Sequence, residues 1–280
     1  MIRPPRLMVE ARRALLDALD ALVDHRGSLV LVGAQAVYLR TDEVALSYTA
    51  SYTTDADLAI NPATLAATPL LADVMKAAGF KRTQPDRPGI WGRSIIVEGH
   101  DEVISVDLIV PEALAGTGRR GARLASHGKQ AAGRADGLEP ALVDRSPMFI
   151  ASLDPTDNRV IASDVAGATA LLVAKLHKLG ERIAQIETRP DRVIAKDAAD
   201  SYRLMLHLET DSAVSTFGHL LEHPTAGPST RRALGYLKAL FTAPAAAGVR
   251  LAVEGLSSDL PADRVEFVCV RFAQSVLDRL

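Results

Sequence analysis

Thr53-Thr54-Asp55-Ala56-Asp57-Leu58-Ala59-Ile60 decides how this chain is read. Its residues alternate, with Thr53, Asp55, Asp57 and Ala59 on one side and Thr54, Ala56, Leu58 and Ile60 on the other, which is the period of a β-strand. Aspartate is disfavoured in strands, so two of them one pleat apart need a reason. The rise of a strand sets their carboxylates about 6 to 7 Å apart on one face. Like charges that close are unfavourable unless a cation lies between them. Hard divalent ions such as magnesium prefer carboxylate and phosphate oxygens. The plainer alternative is an outer strand face wetted by solvent, against which the apolar Leu58, Ala59 and Ile60 weigh.

Upstream, residues 8–25 repeat apolar positions at helical spacing (Leu15, Leu16, Leu19, Leu22, Val23) and stop at Gly27. The run Ser28-Leu29-Val30-Leu31-Val32 then predicts a buried strand. It turns at Gly33 into a helix from Ala34 to Arg40. A helix start offers unpaired N–H groups and partial positive charge to phosphate, and glycine lets the backbone come close. Any strand-to-helix turn can use glycine, so this feature gains meaning only beside the aspartates.

Downstream, Asn61-Pro62 ends the strand and a helix is expected over Thr68 to Gly79. Residues 90–98 and 102–110 read as two strands joined at Gly99-His100-Asp101 and closed by Pro111. The second holds Asp107 inside Ile104-Ser105-Val106-Asp107-Leu108-Ile109-Val110, with Val103, Ser105, Asp107 and Ile109 sharing a face. An aspartate in such a run is costly to bury alone; either its face is wet or it joins Asp55 and Asp57 on a neighbouring strand. A site of three carboxylates would hold two metals for a phosphoryl transfer. Residues 112–140, rich in Gly, Ala and Arg, read as a long, partly mobile loop. Residues 147–153 and 158–162 read as a hairpin around Asp154-Pro155-Thr156-Asp157. From Ser163 the pattern is helical, with Ser163 or Asp164 as the first cap. The expectation is an α+β fold: residues 1–162 with a short mixed sheet flanked by helices, then a helical domain over 163–280.

In the helical half, Leu172, Leu176, Leu179, Ile183 and Ile186 form an apolar stripe beside a basic one of Lys175, Lys178 and Arg182. With 7 Lys among the 32 basic residues, two within one turn stand out. Asp197 and Asp200, one turn apart, read equally well as surface charges.

Composition narrows the classes. The net charge of −2 gives no global attraction to nucleic acid or membrane. The one cysteine, Cys269, excludes an intramolecular disulfide and reads as a buried thiol. No apolar stretch of about 18 residues occurs, and Met1-Ile2-Arg3-Pro4-Pro5 does not read as a signal peptide. A cytoplasmic protein is expected, and the Arg- and Ala-rich composition suggests a GC-rich bacterial genome.

Gly33-Ala34, then Thr53-x-Asp55-x-Asp57-Leu58, then an aspartate on a later strand resembles the DNA polymerase β-like nucleotidyltransferase superfamily. Residues 171–178, Leu-Leu-Val-Ala-Lys-Leu-His-Lys, and 196–202, Lys-Asp-Ala-Ala-Asp-Ser-Tyr, are similar to helical motifs of its toxin-like AbiEii/MenT group. The resemblance runs from about residue 28 to about residue 206. It implies a nucleotidyltransferase core followed by a helical domain that contributes Lys175 and Asp197. Asp55, Asp57 and Asp107 would bind Mg2+ or Mn2+, with Asp107 helping to activate the acceptor hydroxyl. Gly33, Ala34, Thr53 and Lys178 would lie beside the nucleotide. Lys175 would pair with the triphosphate, and Asp197 would complete the polar site. The implied activity is transfer of a nucleoside monophosphate from a nucleoside triphosphate to an acceptor. A tRNA 3′ end is the first expectation, as in a type IV toxin-antitoxin-like toxin with a cognate antitoxin as partner. Nucleotidylation of a small molecule or a protein, or a non-catalytic nucleotide-binding module, are the alternatives. The chain departs from the family where Gly33-Ala34 replaces Gly-Gly or Gly-Ser, and where Ser51 stands in place of an arginine.

Other patterns carry less. Gly116-Thr117-Gly118-Arg119-Arg120-Gly121 fits G-x-G-x-x-G but does not open from a strand within a βαβ unit. Its arginines and Arg123 either touch nucleotide or RNA phosphate or are simply solvated. Gly128-Lys129-Gln130 lacks the residues and spacing of a P-loop. The seven histidines form no zinc pattern with Cys or with one another; His177 reads as a helix-surface or packing residue.

Overall fold

The computed structural model describes residues 5–41, 53–97 and 99–280. Ser51, the position of the absent family arginine, lies outside them. The described residues form two compact units. Unit 1 takes in the described parts of Met1–Ala36 and Tyr52–Ala135, together with Arg145–Ala166. Unit 2 takes in the described part of Val37–Ser51, then Asp136–Asp144 and Gly167–Leu280. The fold is α+β, a mixed sheet in unit 1 and helices through most of unit 2.

Unit 1 opens with α1 (Arg6–Ala21), β1 (Leu29–Val32) and α2 (Gly33–Arg40), whose first four residues belong to this unit. Then come β2 (Asp55–Ile60), α3 (Leu71–Ala77), β3 (Lys81–Arg82), β4 (Ile90–Val97), β5 (His100–Pro111), β6 (Gly133–Ala135), β7 (Arg145–Ala151) and β8 (Val160–Ala166). The strands make one sheet in the order β3-β4-β5-β2-β1-β8-β7, with β6 also beside β5. β2 runs parallel to β5 and antiparallel to β1, and β1 runs parallel to β8.

One stripe of α1 covers the sheet against β2, β5 and β8. Its Leu15, Leu16 and Leu19 are wholly buried, each contributing about 1.5 to 3 kcal/mol. The expected helix stop at Gly79 is formed. Gly79 has φ +83°, and the Phe80 N–H bonds back to the Met75 carbonyl at 3.0 Å. The segment after β5 is irregular, but Ala115, Ala122, Leu124, Ala131 and Ala132 are buried along it. Small apolar side chains hold this loop down where periodicity gave no sign of it.

Two expectations need correcting. Ser163 and Asp164 do not cap a helix; they lie in β8, whose Asp164 and Val165 pair with Val30 and Leu31 of β1. Ile161 and Val165 point into the core and carry the strand on to Ala166. The next helix, α4 (Ala168–Ala184), begins after Gly167. Its start is held by Asp144, whose carboxylate accepts the Ala170 N–H at 2.9 Å. A Cβ on Gly167 would lie 1.9 Å from that carboxylate, so glycine is required there. The apolar stripe is also shorter than expected. Leu172, Leu176 and Leu179 are buried, but Ile186 lies beyond the end of α4 and is 46% exposed.

The rest of unit 2 is α5 (Ala195–His207), α6 (Thr210–Glu222), α7 (Gly227–Phe241), α8 (Ala247–Leu256) and α9 (Ala262–Leu277). α5 packs against α4, α8 and α9 around Tyr202, Phe217, Phe241 and the buried thiol of Cys269. Burial without a cationic neighbour pushes that thiol up to about 12, leaving it inert. No helix among the described residues is long and apolar enough to cross a membrane.

Candidate functional site

The parallel pairing of β2 and β5 sets Asp57 opposite Asp107 and Asp55 opposite Ser105. Alternation then puts all three aspartates on the face of the sheet opposite Ala56, Leu58, Val106 and Leu108, which are buried. Asp107 shows the cost of this arrangement. Among the described residues, its Oδ1 is buried without a hydrogen-bond partner. Burial first, then the charges of Asp57 and Asp55, push its carboxyl up to about 8, with the exposed Arg87 pulling the other way.

Gly33 is the other wall of the site. It has φ +70°, and a Cβ there would fall 1.9 Å from the Asp57 carboxylate oxygen. Asp57 therefore sits against the first residue of α2, where backbone N–H groups have no partner within the helix and the helix end is partly positive. Ala34, the departure from the family pattern, is 7% exposed, so its methyl is packed inward.

Thr53 is buried and its hydroxyl donates to the Asp55 carboxylate. It holds that side chain in place, a role that its position beside the aspartates did not reveal. Behind it stands a network that the sequence reading missed. Gln35 Nε2 donates to the Asp55 carbonyl at 3.3 Å, and Arg12 Nε donates to Gln35 Oε1 at 3.0 Å. Arg12 also donates to the Ala151 carbonyl at 2.9 Å. The signal was present: Arg12 is a cation within the apolar stripe of α1, a place where a charge persists only when paired.

Unit 2 gathers the predicted helical residues into one ionic cluster. Lys175, buried on α4, donates to Asp197 at 3.1 Å and to Asp200 at 2.6 Å. Lys178 reaches Asp197 at 3.1 Å and Arg182 reaches it at 2.6 Å. Both aspartates are buried, not surface charges. Burial opposes the ionisation of Asp197, but Lys175, Lys178 and Arg182 outweigh it and hold the carboxyl down near about 2. Lys175 is likewise held protonated against its burial by the two carboxylates. Its ammonium is thus engaged by protein oxygens, while Lys178 is 46% exposed.

Unit 1 also carries a cleft of about 520 Å³ lined by Arg119, Arg120, Arg123 and Lys129, with Asp86 its one acidic lining residue. The three aspartates do not line it. It shares the segment 85–89 with them: Pro85, Asp86 and Pro88 form its wall, Arg87 acts electrostatically on Asp107, and the Gly89 carbonyl accepts the Leu108 N–H at 2.9 Å.

The chemistry of the aspartate trio suits a hard divalent ion: carboxylate oxygens, one of them orphaned and buried, beside a helix start. Among the described residues, the group whose ligand atoms all lie within 4.8 Å of one another is a different one, Asp136, His177 and Glu181 in unit 2. No protein-family model, no curated protein and no solved structure matches the chain.

Proposed function

We propose that the chain is a metal-dependent nucleotidyltransferase that moves a nucleoside monophosphate from a nucleoside triphosphate to an acceptor hydroxyl and releases pyrophosphate. The observation that carries this reading is the register of β2 against β5, which sets Asp57 beside Asp107 with Asp55 on the same face.

Asp55, Asp57 and Asp107 would hold Mg2+ or Mn2+, which when bound neutralises the triphosphate and the charge that develops in phosphoryl transfer. Gly33 leaves room for Asp57 to lie against the start of α2, so the same residues that hold the ion meet backbone N–H groups suited to phosphate. Thr53 and Gln35 fix Asp55 from the side and from behind, which keeps the ligand set in place without the substrate. Asp107, whose carboxyl burial and its acidic neighbours push up, is the residue to accept the proton of the attacking hydroxyl. That hydroxyl oxygen bonds the α-phosphorus as the bond to the bridging oxygen breaks.

Within the ionic cluster of unit 2, Lys178 is the cation most exposed to a phosphate, and Lys175 and Asp197 serve chiefly to fix it. A tRNA 3′ end remains the first acceptor, in keeping with the resemblance to toxin-like enzymes; the basic cleft supports a polyanionic one. A cognate antitoxin belongs to the same reading, as does a cytoplasmic location, where the nucleotide pool lies. The test incubates the protein with each labelled nucleoside triphosphate, Mg2+ and total tRNA. Label on RNA supports the proposal. Label on a small molecule or on protein keeps the chemistry and changes the acceptor. Tight nucleotide binding with no product reduces the chain to a binding module.

A further inference from the structure

We propose that Asp136, His177 and Glu181 form a second metal site, built within unit 2, for a borderline divalent transition ion such as Zn2+. Their ligand atoms all lie within 4.8 Å of one another. His177 and Glu181 are four residues apart on α4 and so share a face, and Asp136 comes from the segment after β6.

The buried imidazole is the observation that points to a ligand. The His177 residue is 1% exposed. Its Nε2 lies 2.8 Å from the Ser229 carbonyl oxygen, so Nε2 carries the proton and donates. Among the described residues its Nδ1 is buried with no hydrogen-bond partner, and it faces Asp136 Oδ2 at 3.4 Å, an ion-pair separation. A metal-bound histidine is oriented in this way, one ring nitrogen donating to a carbonyl and the other turned to the ion. Gly137, with φ +80°, lets the ring in: a Cβ there would lie 2.5 Å from the imidazole. Arg232 and the Gly137 N–H both bind Asp136 Oδ1, which leaves Oδ2 towards the histidine.

One imidazole nitrogen and two carboxylate oxygens suit zinc and its neighbours, with bonds of about 2.0 to 2.2 Å and water in the open position. Such bonds need the ligand atoms closer than 4.8 Å, and the exposed Glu181 side chain is the one free to close the gap. An ion there would fasten the segment at Asp136 to α4.

The test is calorimetric titration of Zn2+ into the metal-stripped full chain in excess Mg2+, which occupies sites made of oxygens alone, repeated with Co2+ and read by visible absorption. The expected result is one ion per chain, with cobalt bands of low-symmetry nitrogen and oxygen coordination. Glu181→Gln, an exposed change that leaves the helix intact, is expected to weaken binding at least about tenfold, and Asp136→Asn to do the same. No binding to the wild-type chain, or Zn2+ binding that survives both substitutions unchanged, overturns the proposal and leaves His177 and Asp136 an internal ion pair.

Discussion

Asp57 and Asp107 stand directly opposite each other on two parallel strands, where burial and the charges of Asp57 and Asp55 oppose the ionisation of Asp107. Without a cation this arrangement costs stability, because Asp107 ionises only against burial and two neighbouring carboxylates. Asp107→Asn keeps the shape and removes the carboxyl that can stay buried at neutral pH only by taking up a proton. It should raise the melting temperature of the metal-free protein at neutral pH by a few degrees, on the order of 1 kcal/mol or more, while eliminating nucleotide transfer. Thermal melts with and without Mg2+ check both halves.

Gly33→Ala should do the opposite. The added Cβ meets the Asp57 carboxylate and the backbone is left-handed there. A loss of about 1 to 3 kcal/mol is expected, together with loss of any Mg2+-induced rise in melting temperature. Denaturant unfolding gives the first number and a Mg2+ titration of the melt the second.

The ionic cluster of unit 2 should respond by burial. Lys175→Met leaves Asp200 and Asp197 short of their buried cation and is expected to cost about 3 to 5 kcal/mol. Lys178→Ala removes a half-exposed partner of Asp197 and is expected to cost no more than about 1 kcal/mol. If Lys178 is the phosphate contact, that mild variant should raise the nucleotide KM. Chemical denaturation and steady-state kinetics separate the two effects.

Asp197 supplies a pH signature. Its carboxyl is held near about 2 in the folded chain, against an ordinary value of 3.8. A depressed acid stabilises the fold above its unfolded value, and that contribution is lost as pH falls through the folded one. Between pH 4 and 2, roughly, about 2 kcal/mol should disappear. Asp197→Asn should be less stable at neutral pH and show a shallower acid slope, as read by denaturant melts across that range.

How far the sequence could be read depended on what a residue's neighbours in the chain reveal. Alternation over 53–60 and 103–110 was enough to place Asp55, Asp57 and Asp107 on strand faces, and the pairing of β2 with β5 then sets those faces side by side. The boundary at Ser163 was misread because a serine and an aspartate before a helical pattern look like a cap. The true cap, Asp144, comes from a segment well before α4, and no local pattern reports it. Asp197 and Asp200 looked like surface charges for the same reason: the cation that buries them, Lys175, stands on another helix. Arg12 and Gln35 were legible in principle, since a charge within an apolar helical stripe requires a partner.

The proposed reaction needs Asp55, Asp57 and Asp107 to hold a divalent cation for a nucleotide. The direct measurement is binding of a non-hydrolysable nucleoside triphosphate analogue with and without Mg2+, in the wild-type chain and in Asp57→Asn. The expected result is binding that depends on Mg2+ and that falls at least about tenfold in the variant, as for loss of a metal ligand, while circular dichroism stays unchanged. Nucleotide binding indifferent to both Mg2+ and the substitution would contradict it.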